Sequence, residues 1–428
     1  MRKVRVYFET YGCSHNKADT KIMEEAVSRR FEITGNVETA EVIVLNTCYV
    51  KTSTEHRIIN RIKSLVQRFP QKKMIIAGCM PMVDKERALE SNPAASLVGT
   101  QNVDMIAEAI EEALNGRQSS YLEYRKLDKS KIPKLWKQSN IIRIIQICEG
   151  CTDACRYCCT RIARGHIFSY DIDNITEEIK ANVLDGAREF WLTAQDTCAY
   201  GIDNNKQNLA ELIKRVVEIP GEFFVRIGMM NPNHALNTID ELTEIFREPK
   251  VFKFLHLPVQ SGSNKILRVM GRKYTVEEAE KVIKLFRQKI PRITLATDII
   301  VGYPGEDDKD FEKTMGFLHR IRPDITNLSK FGKRPRTPVE IGEKYDITIV
   351  KKRTRLVHET ISRLQLEGYQ KWIGWKGKLL VDELIRGDSV GRNEYYRNIV
   401  LKENVLLGSI IHVEVVKASK HFLLGRIL

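Results

Sequence analysis

The string CEGCTDACRYCC at residues 148–159 is where this 428-residue chain concentrates its chemistry. Within it, Cys151, Cys155 and Cys158 are spaced C-x3-C-x2-C. Three thiolates in so tight a loop can ligate three corners of a 4Fe–4S cube, leaving the fourth iron open to a small chelator. S-adenosylmethionine suits that iron. Its amino and carboxylate groups chelate, its sulfonium comes to lie beside the cluster, and one electron then breaks a carbon–sulfur bond to give a 5′-deoxyadenosyl radical. Zinc is the competing reading, because Cys148/Cys151 and Cys155/Cys158 form two C-x-x-C pairs. Zinc ribbons separate their pairs by about a dozen residues or more, whereas only three intervene here. Cys148 and Cys159 are surplus to this set and are assigned no role, and Cys198 is read as packing.

Three further cysteines, Cys13, Cys48 and Cys79, stand in FETYGC, VLNTC and IIAGC. Strand-like runs at 4–8, 42–46, 74–77 and 96–98 alternate with amphipathic stretches such as 17–30 and 54–68. That alternation predicts βαβ units and an open parallel sheet over residues 1–118. Each of the three cysteines falls just past the C-terminal end of a strand, the edge at which open α/β sheets gather ligands. The three thiols can therefore converge; three unrelated core cysteines are the alternative.

Residues 119–138 read as a basic linker, with six lysines or arginines against two acids over 121–138, and are a candidate phosphate-facing segment. From 139 to 366 strands at 141–147, 189–193, 223–227, 252–257, 293–301 and 325–329 alternate with helical stretches at 176–184, 209–217, 276–288 and 308–321. Asp307 or Asp308 is placed to cap the last of these helices. Six βα repeats predict a partial (β/α)6 barrel, whose chemistry belongs at the C-terminal strand ends. The cysteine string directly follows the first strand. The tail, 367–428, has glycine-broken β runs that predict a small antiparallel barrel. It carries ten lysines and arginines against seven acids, with Tyr395, Tyr396, His412, His421 and Phe422 interspersed. Basic and aromatic surface of that kind suits RNA.

The whole chain has a formal charge of +14, which favours a polyanionic partner. No apolar run approaches the ~18 residues that cross a bilayer, and the N-terminus lacks a signal-peptide core. The protein is read as cytoplasmic, without a membrane partner, and its cysteines as metal or catalytic groups rather than disulfides.

The string GCTDACRYCCTRIARG resembles the radical S-adenosylmethionine core of the methylthiotransferases, and Cys13, Cys48 and Cys79 match that family's N-terminal cluster motif. The tail is similar to its TRAM domain, an RNA-binding barrel. EFWLTAQDTCAYG, VRIGMMNPNHA, FLHLPVQSGSNKILRVMGRKYT and TDIIVGYPGE resemble the archaeal and eukaryotic branch that acts on threonylcarbamoyladenosine in tRNA. Relatives acting on isopentenyladenosine in tRNA, or on a ribosomal protein, fit these strings less well. Two positions depart from the family: Cys198 stands where it has glycine, and its RPGTP reads Arg334-Pro335-Arg336-Thr337-Pro338.

The resemblance implies a tRNA methylthiotransferase with two 4Fe–4S clusters, on Cys13, Cys48, Cys79 and on Cys151, Cys155, Cys158. One S-adenosylmethionine methylates sulfur carried by the N-terminal cluster, giving S-adenosylhomocysteine. A second gives the radical that removes hydrogen from C2 of the modified adenosine 37 in the anticodon loop, and the methylthio group is transferred there. Electrons come from a small donor such as a ferredoxin or flavodoxin. Tyr157, Gln195 and Asp196 are candidate cofactor contacts, and Arg164 a candidate substrate contact. The rival from another class is an RNA-binding protein with purely structural clusters; open three-thiolate sites argue against it.

Overall fold

The computed structural model describes residues 3–204, 207–342, 346–420 and 422–428; His421 lies outside them. Six parallel strands form the N-terminal sheet: β1 (Arg5–Thr10), β2 (Glu32–Thr34), β3 (Val42–Thr47), β4 (Lys73–Gly78), β5 (Ser96–Gly99) and β6 (Ser120–Tyr121), in the order β2-β1-β3-β4-β5-β6. β3 is buried at every position, as its continuous VIVLNT run requires when helices cover both faces. The short edge strands β2 and β6 have too few apolar residues to stand out in the sequence.

The central domain opens with β7 (Ile142–Gln146). A two-stranded hairpin stem, β8 (Cys148–Glu149) with β9 (Phe168–Ser169), follows it. Then come β10 (Glu189–Thr193), β11 (Phe224–Ile227), β12 (Phe254–His256), β13 (Thr294–Val301) and β14 (Ile325–Lys330). β7, β10 and β11 make one parallel trio and β12, β13 and β14 another. A parallel bridge between Val225 and Val251 and the stacked rings of Phe224 and Phe252 carry the first trio into the second. The result is the six-stranded partial barrel. Of the two candidate caps it is Asp307 that opens helix Asp308–Ile321, accepting from the Asp310 amide in a capping box.

The tail forms a closed barrel of β15 (Lys376–Ile385), β16 (Asp388–Asn393), β17 (Asn398–Leu401), β18 (Ile410–Ala418) and β19 (Leu423–Ile427), ordered β15-β16-β17-β19-β18. All its neighbours are antiparallel except β17 and β19, which run parallel. Helix Ile347–Gln370 leads into it and spans the 366/367 boundary expected between the last two domains. The barrel is docked firmly. Tyr396 packs against Phe252 and Phe254, with centroids 4.9 Å away in each case, and Arg397 is ion-paired with Asp324.

Helix Ser14–Ser28 of the N-terminal domain lies against the central barrel, where Ser14 and Thr193 share a 2.7 Å hydroxyl hydrogen bond. Behind that contact is a buried ionic cluster. Lys129 Nζ lies 2.7 Å from Asp19 Oδ1 and 2.8 Å from Glu149 Oε2. The supposed phosphate-facing linker therefore turns Lys129 inward, and Lys134 likewise pairs with Glu178 at 2.6 Å. Buried charges persist only when paired, so these lysines fix domain placement instead of meeting solvent.

Candidate active site

Cys13, Cys48 and Cys79 come from the C-terminal ends of three adjacent strands, β1, β3 and β4. Gly12 has φ 121°, and a Cβ there would sit 2.7 Å from that of Cys48; Gly78 has φ 93°, and its Cβ would strike Asn46 Oδ1 at 2.3 Å. Only glycine allows so close an approach, which accounts for the YGC and AGC strings. Asn16 centres the group: its Oδ1 is 3.7 Å from both Cys13 Sγ and Cys79 Sγ, while its Nδ2 donates to the Thr47 carbonyl at 2.9 Å. Cys13 is exposed, whereas Cys48 and Cys79 are buried. Burial pushes the Cys79 thiol up to about 12, and the Arg164 guanidinium works against that rise. A bound metal or a nearby cation is what such thiols need to ionise.

The second set lies in the loop closed by the β8–β9 stem. Gly150 N donates to Gln195 Oε1 at 2.7 Å, and Cys151 N to the Gly165 carbonyl at 3.2 Å. Each thiol receives one N–H: Cys151 Sγ from Asp153 N at 3.4 Å, Cys158 Sγ from Thr160 N at 3.4 Å, and Cys155 Sγ from Arg272 Nη1 at 3.2 Å. Burial pushes the Cys151 thiol up to about 12 and raises that of Cys155, while the Asp153 amide and the Arg272 guanidinium work against those rises and favour the thiolate, the form that binds iron. Among the described residues, no three His, Cys, Asp or Glu side chains are gathered as a single metal ion requires. The soft thiol donors and their N–H partners fit an iron–sulfur cluster instead.

The loop forms one wall of a cavity of about 790 Å3 between the two domains. Cys151, Cys155, Cys158, Tyr157, Gln195 and Asp196 all line it. Gln195 and Asp196 serve first to shape it. Asp196 Oδ1 accepts from the Cys198 and Asn231 amides, each at 3.1 Å, and its Oδ2 lies 2.6 Å from His234 Nδ1. Burial lowers the pKa of His234, but that carboxylate more than offsets the effect and leaves it raised. Tyr157 meets Tyr303 edge-on at 6.3 Å. Cys198 sits in a short 3-10 turn without positive φ, so the side chain causes no backbone strain.

Arg164 is placed differently from its expected role as a substrate contact. It is 1% exposed, and its guanidinium reaches Asn16 Oδ1 at 2.8 Å, Asp19 Oδ2 at 2.9 Å and Glu149 Oε1 at 2.7 Å. It meets carboxylates, but they are the protein's own, and it joins the N-terminal thiol region to the cysteine loop. The N-terminal domain lines the cavity through Val50, Lys51 and Thr52, just after Cys48, and not through its three thiols. Buried Cys159, which also lines the cavity, and Ala163 share one apolar cluster with Cys79, Met80 and Met82.

Several contributors carried no sequence signal of their own. Arg272 also donates through Nη2 to Asn231 Oδ1 at 2.7 Å. Arg334 crosses to the N-terminal domain, with Nη1 2.7 Å from Glu55 Oε2. GRKYT and RPRTP marked these arginines as parts of strings, but their partners lie 41 and 279 residues away.

Comparison with known proteins agrees with this architecture. Residues 145–318 match the model of the Radical SAM superfamily, and 5–99 that described as Uncharacterized protein family UPF0004. In overall shape the chain is similar to the radical S-adenosylmethionine methyltransferase TsrM of Kitasatospora setae. The TM-score is 0.59 at 11% identity, over 79% of this chain and 74% of that one. A protein of Pyrococcus horikoshii named "Probable threonylcarbamoyladenosine tRNA methylthiotransferase" is 40% identical over 99% of this chain and 100% of its own. The human threonylcarbamoyladenosine tRNA methylthiotransferase is 33% identical over 99% of this chain and 74% of its own. With its radical S-adenosylmethionine domain and its similarity to these two methylthiotransferases over 99% of its own length, the chain belongs to the threonylcarbamoyladenosine tRNA methylthiotransferase family, and it is a transferase.

Proposed function

We propose that the protein converts N6-threonylcarbamoyladenosine at position 37 of tRNA to its 2-methylthio derivative. Cys151, Cys155 and Cys158 hold one 4Fe–4S cluster, and Cys13, Cys48 and Cys79 a second. When bound, the core cluster supplies the electron that cleaves S-adenosylmethionine, and the N-terminal cluster carries the sulfur to be methylated and transferred. The observation that carries this reading is the N–H donor at each thiol of the 151–158 loop, set in the wall of an interdomain cavity. Asp196 and Gln195 shape the floor against which S-adenosylmethionine is oriented, and Tyr157 faces the same space. A ferredoxin- or flavodoxin-like protein supplies the electrons.

Iron counting and product analysis test this together. Anaerobically reconstituted protein binds about eight irons, and changing Cys151, Cys155 and Cys158 together to alanine removes about half. Replacing Cys13, Cys48 or Cys79 abolishes methylthiolation of tRNA yet leaves some 5′-deoxyadenosine formation. A triple variant that keeps all its iron refutes the core assignment. Loss of all 5′-deoxyadenosine in a folded N-terminal variant that retains the core cluster refutes the division of labour.

A further inference from the structure

Four cations stand around the cavity: Lys51 from the N-terminal domain, Arg161 after the cysteine loop, and Lys330 and Arg336 at and beyond the end of β14. Among the described residues none has a carboxylate partner, although nearby Arg334 and Arg353 are paired with Glu55 and Glu306. The carboxylates that line the same cavity, Asp153, Asp196 and Asp298, are held by Lys273, His234 and His256, so four cations converging from three segments favour an anion there.

Arg336 is distinguished among them by its backbone. Its φ is 59°, the left-handed region that suits glycine and disfavours a side chain. Strain of this kind persists where the surrounding structure holds it, and it is a pointer to function. The neighbouring segment does hold it: Thr337 Oγ1 donates to the Arg334 carbonyl at 2.6 Å, and Arg334 is tied to Glu55. The guanidinium reaches across the gap between domains, where Nη1 donates to the Met82 carbonyl at 3.2 Å. Met82 lies on helix Cys79–Val83, which begins with one of the N-terminal thiols. One nitrogen is thus anchored, and the remaining donors of a rigid planar fork are left for an anion.

We propose that Arg336, flanked by Lys51, Arg161 and Lys330, is a substrate-binding residue that receives an anionic oxygen pair of the RNA substrate at the cavity rim. This rests on the tRNA reading above. Two sources share that chemistry: the carboxylate of the threonylcarbamoyl group and a phosphate beside the target nucleoside. A planar guanidinium binds either in bidentate fashion.

Binding of two anticodon stem–loop oligonucleotides to the anaerobically reconstituted full chain, followed by fluorescence anisotropy, tests the proposal. One carries threonylcarbamoyladenosine and the other plain adenosine. Glycine adopts φ 59° freely, so Arg336→Gly removes the cation without straining the fold. Arg336→Lys keeps the charge but loses the fork. Arg336→Gly weakens binding of the modified stem–loop about tenfold, in line with loss of a charge-assisted contact, and Arg336→Lys falls between. If binding of plain adenosine stays within twofold, the anion is the carboxylate. If both ligands weaken equally and the salt slope shrinks by about one, it is a phosphate. Unchanged binding of both ligands to Arg336→Gly overturns the proposal and leaves the tRNA reading standing. Wild-type protein that binds neither stem–loop overturns both.

Discussion

Arg272 Nη1 lies 3.2 Å from Cys155 Sγ, and the same guanidinium is braced by Asn231 Oδ1 at 2.7 Å and Tyr274 Oη at 2.8 Å. It is the one side-chain donor among the three N–H contacts to the loop thiols, so mutation can remove it without altering the chain there. Hydrogen bonds to cluster sulfurs stabilise the more reduced, more negative state. Arg272→Ala therefore lowers the reduction midpoint of the core cluster, on the order of 50 mV for a charge-assisted bond of this size. A redox titration followed by electron paramagnetic resonance measures it, and a midpoint unchanged within error refutes the role.

Arg164 bridges Asn16 and Asp19 on one domain to Glu149 on the other, out of contact with solvent. Removing it leaves Lys129 alone to balance two buried carboxylates. Arg164→Ala is expected to destabilise the protein by about 3–5 kcal/mol, the cost of breaking a buried ionic group on one side. Chemical denaturation reads the loss, and limited proteolysis shows whether the N-terminal domain is released. A variant as stable as wild type contradicts the load assigned to this residue.

Asp382 of β15 is buried at the junction of barrel and core, beside Glu189 of β10, with Arg392 3.6 Å away. Burial pushes its pKa up to about 9; Arg392 opposes the rise, while Glu189 and Glu383 add to it. A folded-state value raised above the unfolded ~3.9 means that the fold binds the extra proton. The stability it contributes is fully present below pH ~4 and is lost as pH rises through about 9. Asp382→Asn removes this dependence. Its thermal midpoint exceeds that of wild type at pH 8, and the gap closes toward pH 4. An identical pH profile for the two proteins rules the mechanism out.

The ten lysines and arginines of the tail, Lys376, Lys378, Arg392 and Arg397 among them, are not equally placed to meet RNA. Lys376 and Lys378 are 61% exposed at their side chains, whereas Arg392 and Arg397 are 9% and 5% exposed and face the core. Charge reversal at Lys376 and Lys378 is therefore expected to weaken tRNA binding and lower its salt slope by about one to two. Reversal at Arg392 and Arg397 undocks the barrel instead, visible as a fall in thermal midpoint. A double Lys376/Lys378 variant with unchanged affinity and slope removes those two lysines from the interface.

Local sequence was enough for the parts of this protein whose causes are local. The C-x3-C-x2-C spacing, the glycines before Cys13 and Cys79, the unbroken apolar run of β3, and the Asp307 cap each act within a few residues. Strand ends told that Cys13, Cys48 and Cys79 share one sheet edge, because in a parallel sheet every strand presents the same end to the same side. The tertiary structure alone decided which charges are buried. Arg164 looked available to a substrate until Asp19 and Glu149, 145 and 15 residues away, closed around it. Lys129 looked like linker surface until the same acids claimed it. The sequence likewise could not show that Arg336 occupies a glycine conformation while reaching Met82. Pairing energy depends on distance and desolvation, and both are set when separate domains pack, not by neighbours in the chain.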